Sequence, residues 1–375
     1  MIFTVLQPHW ASATTTKYLS VNSKKVSLVL TFLCLIGQVA FAQPVAVTPS
    51  YETQAVITKG DAADDSVIWV NPANTAQSMV LGTDKKSGVY AYGLDASTLG
   101  YSKLGKINNI DSRTIGEYSF IFASNRTQQS VDVWIFGNHA ISNSIAKGAF
   151  SLPVNRSMQG QSAINIYGIC AGIDPELGLL AFVTEDEGPR VEVWQYSAEA
   201  LSLIHTFDNG GESEGCVYDD ENRTLFISEE EVNGVLRAYQ VSAELDFSQP
   251  IIVDSRQGNI NGDPEGVTLY KTSSTDGYVI LSSQGDSKFN LYQRTAPYEY
   301  LGSFIVADRQ LEDGTVIDGT SITDGIDAAN INFNPDFPEG LIVIQDNDNM
   351  QGKRKKRQNF KYVSFAQVLD ALELR

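Results

Sequence analysis

Histidine and cysteine are almost missing from this 375-residue chain, with three of each. So few soft or imidazole ligands leave little for zinc or copper to bind, and a cysteine-stapled framework is excluded. Beyond residue 42 only His139 and His205 remain, neither near the acidic loops described below. Cys34 lies in an N-terminal apolar stretch. Cys170 and Cys216 each follow apolar positions in the second half of an expected strand. They read as buried free thiols, with a disulfide left open. Positive charge is scarce as well: residues 43–375 carry 24 Lys and Arg against 45 Asp and Glu, a net of −21. Such a surface does not attract nucleic acid or anionic lipid by its own field.

The first 42 residues have no Asp or Glu. Lys24 and Lys25 precede the apolar stretch Val26–Val39, which is short for the ~30 Å of a bilayer core. Ala40-Phe41-Ala42 then gives a small-x-small cleavage pattern. The expectation is a signal peptide over 1–42 and a single domain over 43–375, secreted or periplasmic, monomeric, with no stable membrane insertion after cleavage.

What is abundant is repetition. Six aliphatic strands stop at short charged or polar loops: Met79-VLGTDKK, Phe120-IFASNR, Leu180-AFVTED, Leu225-FISEEE, Val279-ILSSQGD and Leu341-IVIQDND. Their starts lie 41, 60, 45, 54 and 62 residues apart, the range of a repeating supersecondary unit. A strand carrying an aromatic follows each one. A shorter strand precedes each, introduced by an acid, amide or tyrosine: Asp64-Asp65, Asn108-Asn109, Tyr167-Gly168, Glu214-Gly215, Asp263-Pro264-Glu265 and Asp324-Gly325. Turn residues such as Asn71-Pro72 and Asp174-Pro175 separate the two. Four strands per unit, six times over, predict an all-β fold, a six-bladed β-propeller of four-stranded antiparallel blades. A sandwich would not repeat one order six times.

In an antiparallel sheet the start of one strand lies beside the end of the next, so the leading polar residues and the polar loops should share one face. The acids expected there are Asp61, Asp64, Asp65, Asp111, Glu185, Asp186, Glu214, Glu229, Glu230, Asp263, Glu265, Asp286, Asp318, Asp324, Asp346 and Asp348. Crowded carboxylates need cations. Hard oxygen donors on several loops favour Ca²⁺ over zinc, copper or octahedral Mg²⁺. Lys85, Lys86 and Arg126 end the first two aliphatic strands, with Arg113 close by. Cations beside bound metal would recognise phosphate, and the metal would invert a field that otherwise repels a polyanion.

At this point Asp61-Ala-Ala-Asp-Asp-Ser-Val-Ile-Trp69 and Asn108-Asn-Ile-Asp-Ser-Arg113 resemble the two diagnostic motifs of the β-propeller phytases, calcium-dependent enzymes that remove phosphate from phytate (myo-inositol hexakisphosphate). The likeness runs on through Lys85-Lys86, Ala123-Ser-Asn-Arg126, Ile227-Ser-Glu-Glu230, Asp263-Pro-Glu-Gly266, Ser282-Ser-Gln-Gly285, Asp318-Gly-Thr-Ser321 and Gln345-Asp346, across residues 58–365. It implies several calcium ions, with ligands at Asp64, Asp65, Glu214, Glu229, Glu230, Asp263, Glu265, Gln284, Asp318, Asp346 and Asp348. It also implies phosphate contacts at Lys85, Lys86, Arg126 and Tyr167, and it points to phytate or another inositol polyphosphate as substrate. Two departures stand out. Ser66-Val67 replace the usual Pro-Ala. The third aliphatic strand, which in the family precedes a phosphate-touching lysine, here precedes Glu185 and Asp186, with Arg190 the nearest substitute.

No side-chain nucleophile is expected. There is no Arg-His-Gly-x-Arg stretch, and neither Cys170 nor Cys216 has an arginine six positions on. Catalysis is instead assigned to Asp65, Glu214, Asp263, Lys85, Arg126 and Tyr167, with a metal-activated water attacking phosphorus directly. Two alternatives stand beside this. One is a non-catalytic propeller made rigid by calcium that binds phosphorylated ligands. The other is a propeller lactonase or esterase, which would not need Lys85, Lys86 and Arg126 at its metal.

Overall fold

The computed structural model describes residues 43–375 apart from 153–155, 198–199 and 232, so the expected signal peptide lies outside the described residues. Six four-stranded antiparallel units form a six-bladed β-propeller. Blade 1 runs Ala63–Trp69, Met79–Asp84, Gly88–Tyr92 and Thr98–Lys103 from the inside out. Blades 2 to 5 begin with Ile107–Ile115, Ile166–Asp174, Ser213–Asp219 and Pro264–Lys271 and follow the same order. In blade 6 the inner three strands are Ile326–Ala329, Leu341–Asp346 and Asn359–Ser364. Its outermost strand is Tyr51–Glu52 from the start of the domain, which pairs Tyr51 with Tyr362. Just before it, Val45–Val47 adds a parallel fifth strand to blade 5. An early strand and a late one among the described residues thus close the ring.

The aliphatic runs are continuous because each second strand is covered on both sheet faces. Every residue of Met79–Asp84 and of Leu341–Asp346 is buried. The core is accordingly six apolar layers, one between each pair of neighbouring blades. The helix Phe365–Ala371 caps the layer between blades 5 and 6 with Phe365, Val368 and Leu369.

Cys170 and Cys216 form a disulfide that joins the innermost strands of blades 3 and 4. This corrects the free-thiol reading: the innermost strands of consecutive blades pack side by side, and there the two Cα atoms come within 5.6 Å. Closing a loop of 46 residues is worth about 4 kcal/mol on the chain-entropy model.

Candidate active site

Five of the six innermost strands carry a β-bulge at the same point. The register slips between Ala63 and Ser66, Ile107 and Ile110, Ile166 and Ile169, Ser213 and Cys216, and Pro264 and Val267. A bulge re-aims side chains, and it places two residues where one would fit. The first of each pair is Asp64, Asn108, Tyr167, Glu214 or Glu265, and Asp324 precedes the blade 6 strand in the same way. These six come together. The second is glycine in four blades, and the reason is close approach: a Cβ on Gly168 would lie 1.9 Å from the Glu214 carbonyl oxygen, and one on Gly215 2.2 Å from that of Glu265. A hydroxyl on the second strand steadies the bulge. Thr83, Ser124 and Thr184 accept from the N–H of Asp65, Asn109 and Gly168 at 2.9–3.0 Å.

Oxygen atoms of Glu214, Glu230 and Glu265 all lie within 4.8 Å of one another. Asn108 donates to Asp64 at 2.9 Å and to Glu214 at 2.7 Å, while Gln284 donates to Glu265 at 3.0 Å and to Asp324 at 2.9 Å. The buried Oε1 of Glu230 has no hydrogen-bond partner. Burial, reinforced by Glu212 and Asp263, pushes the Glu230 carboxyl up to about 8. Burial and neighbouring acids likewise hold Glu214 and Glu265 well above the usual carboxylate range. Asp324 is pushed up to about 7 by burial, against the pull of Lys85. Such a set of hard, under-satisfied oxygens fits a divalent cation such as Ca²⁺.

Cations face this cluster. The Lys85 ammonium lies 2.7 Å from Asp64, 2.9 Å from Asp61 and 3.6 Å from Asp324. Burial disfavours its charge, but Asp64, Glu214, Asp324 and Asp61 more than offset this and raise its pKa. Arg126 stacks 5.2 Å from the Tyr167 ring centroid, donates to Asn108 at 3.1 Å and pairs with Asp186 at 2.6 Å. Burial and the carboxylates of Glu214, Glu230 and Glu265 raise Tyr167, so its hydroxyl stays a donor. Lys86 is exposed and donates to the Lys59 carbonyl at 3.0 Å. Asp263 sits at the open side, paired with Arg256 at 2.5 Å.

Other expected site residues lie elsewhere. Asp65 turns into a central channel of about 400 Å³ and accepts from the Ile110 N–H at 3.0 Å. Arg113 is in that channel too, paired with Asp111 at 3.0 Å and Asp220 at 3.2 Å. Glu229, wholly buried, is held by Arg237 at 3.0 Å and by the Asn233 N–H at 3.0 Å. Arg190 is clamped by both oxygens of Glu185. Asp318 and Asp346 gather around another centre, the buried Lys361 ammonium, which also touches Glu52 at 2.5 Å, and Asp348 pairs with Lys355. Asn108 and Asp324 belong to the site although the resemblance did not assign them as ligands. Their signal was the polar-residue pair opening each inner strand.

A family model described as Phytase matches residues 15–375. The chain belongs to the phytase family. The 3-phytase of Bacillus subtilis (strain 168) is 32% identical to it over 343 residues, which cover 87% of this chain and 85% of that protein. As a phytase, the chain is an enzyme whose substrate is phytate. Among solved structures, an auxiliary nutrient binding protein from Bacteroides thetaiotaomicron VPI-5482 is 12% identical with a TM-score of 0.51, covering 81% of this chain and 70% of that one. That likeness extends to the fold alone. No helix among the described residues is long and apolar enough to cross a membrane.

Proposed function

We propose that this phytase depends on calcium and hydrolyses phytate to lower inositol phosphates and inorganic phosphate on the rim of the propeller. One observation carries the reading: three glutamates with converging oxygens, Oε1 of Glu230 among them without a hydrogen-bond partner, stand beside Lys85, Arg126 and Tyr167. Asp64, Glu214, Glu230, Asp263, Glu265 and Gln284 would hold the ions, with Asp318, Asp346 and Asp348 as a second set. Bound there, Ca²⁺ would supply Lewis acidity and lower the pKa of water.

The chain's own groups do the rest. Lys85 and Arg126 exchange their carboxylate partners for phosphate oxygens and stabilise charge that builds on them. Tyr167, kept protonated, donates to the same group and holds Arg126 by stacking. Lys86, exposed beside Lys85, suits a neighbouring phosphate of the same inositol. With no serine, cysteine or histidine among the described residues of the cluster and its carboxylates assigned to the ions, water attacks phosphorus directly, and heavy oxygen from labelled water should end in phosphate; label in the inositol would contradict this.

Secretion to the periplasm or beyond, as a monomer after cleavage of residues 1–42, fits the Cys170–Cys216 disulfide, which persists in oxidising compartments. The deciding measurement is phosphate release from phytate before chelation, after it and after Ca²⁺ is restored. Activity untouched by chelation, or not recovered with Ca²⁺, would overturn calcium dependence. Phytate binding without phosphate release would favour a binding module instead.

A further inference from the structure

Eight of the 24 Lys and Arg in residues 43–375 fall in three short segments, 57–61, 85–86 and 353–357, which contain a single acid, Asp61. The fold joins these segments. Arg357 donates to the Ile57 carbonyl, Lys86 to the Lys59 carbonyl at 3.0 Å, and Gln358 accepts from the N–H of Ala63 at 2.8 Å. The strand pair Met350–Gln351 and Arg354–Lys355 holds the run out from the surface. Lys353 and Arg354 are exposed, with no ion pair among the described residues. Lys356 and Arg357 line a cavity of about 600 Å³ whose one acid, Glu52, is held by Lys361. At the other end of the shared loop, Asp61 touches Lys85 of the candidate active site.

We propose that this basic hairpin and the 57–61 loop form a capture patch for polyphosphorylated substrate, distinct from the groups that hold the reacting phosphate. The proposal rests on the reading of the rim as a phosphate-ester site. A molecule with a net charge of −21 repels an inositol carrying six phosphates from nearly every direction. A positive patch joined to the Lys85 loop, with Lys353 and Arg354 exposed and without an ion pair among the described residues, offers an approach where the field is reversed, raising the local substrate concentration at low ionic strength. A substrate with one phosphate gains little from it. The patch therefore sets preference for highly phosphorylated inositols rather than the rate of the chemical step.

The test is the triple exchange K353Q/R354Q/K356Q, which spares Lys355 with its Asp348 contact and Arg357 with its Ile57 contact. With Ca²⁺ saturating, kcat/KM is measured for phytate and for a singly phosphorylated ester across a range of salt. The expected result is a preference for phytate reduced about fivefold or more at low salt, converging with the parent as the Debye length shrinks to ~3 Å near 1 M. The charge reversal K353E/R354E should deepen the loss. An unchanged preference and salt slope in both variants would overturn the capture patch. Failure of the parent protein itself to release phosphate from phytate would overturn the rim reading instead. A melting temperature equal to the parent's excludes misfolding; should the triple variant melt early, K353Q and R354Q taken singly must each lower the preference.

Discussion

The rim and the channel draw their carboxylates from the same innermost strands, sometimes from adjacent residues, yet satisfy them differently. Asp64 faces the rim, where one oxygen meets Asn108 and the other only the Lys85 ammonium. Asp65, one residue on, faces the channel and accepts the Ile110 N–H of the next blade. The channel repeats that arrangement. Asp111 accepts from Ala171 at 2.7 Å, and Asp327 from Ile68 at 2.8 Å and Thr268 at 2.9 Å. Channel acids stitch blade to blade, accepting from backbone and hydroxyl donors on neighbouring blades. Rim acids confront one another, and burial without donors is a standing cost that a divalent ion would offset. The lesson is that satisfaction, not residue type, separates the acids that hold the ring from those free to do chemistry.

The largest test of that division is Glu230→Gln. It removes a charge from the under-satisfied cluster while keeping the shape, so phosphate release from phytate should fall roughly 10²- to 10³-fold, the range for losing one preorganised group. The melting temperature without calcium should hold or rise. A fall in stability with activity intact would erase the distinction between rim and channel. Asp327→Ala probes the other side and should cost about 2–4 kcal/mol by orphaning the Ile68 N–H and the Thr268 hydroxyl. Urea unfolding measures it; a loss under about 0.5 kcal/mol would mean the stitching is dispensable.

Acidity, by contrast, is shared by both sets: burial also pushes the channel acid Asp327 up to about 7 and holds Asp65 well above the usual carboxylate range. The Glu230 carboxyl sits at about 8 in the folded protein against 4.5 as its ordinary value, and Asp324 at about 7 against 3.8. A raised carboxyl favours the fold fully below the ordinary value and loses that contribution as pH climbs through the folded one. Calcium-free protein should therefore melt at progressively lower temperature from about pH 4.5 to pH 8. Saturating Ca²⁺ should reduce the slope, since the ions take the place of the protons on the rim while the channel acids still titrate. Calorimetry at several pH values, with and without chelator, reads this directly; a flat calcium-free profile would deny that these acids are strained.

How much of this was legible in the sequence follows from which forces act locally. The six blades showed because strands buried on both faces must be apolar throughout, as Leu180–Val183 and Leu341–Ile344 are, and charged turns must end them. The gathering of Asp64, Lys85, Glu214 and Glu265 followed from antiparallel geometry. Which of two adjacent acids faces the rim did not, because the bulge inserts a residue and resets the two-residue alternation, so that Asp65, expected beside Asp64 as a ligand and catalytic group, turns into the channel instead. Glu229 and Glu230 present the same difficulty, settled by Arg237 arriving from the next strand. Nor did the closure by Tyr51–Glu52, since two residues carry no periodicity. The Cys170–Cys216 bond and the Lys361 centre depend on neighbours remote in sequence, visible only once the blades pack.

The smallest expected effect belongs to Arg190, the residue that seemed to stand in for a phosphate-binding lysine. Its guanidinium is held in a fork by both oxygens of Glu185, at 2.8 Å from one of them, and its side chain is half exposed. Glu185 in turn is drawn below the usual carboxylate range, first by this hydrogen bond. A phosphate would have to displace a bidentate partner already in place, in water that screens most of what it would gain. Arg190→Gln should thus alter KM for phytate by less than about twofold and leave the melting temperature essentially unchanged, as for an exposed pair. Arg126→Gln, removing a guanidinium stacked on Tyr167 within the cluster, should act far more strongly. A tenfold rise in KM from the Arg190 exchange would mean the Glu185 fork opens to substrate, and that the working rim reaches beyond Tyr167 to the loop after the second strand of blade 3.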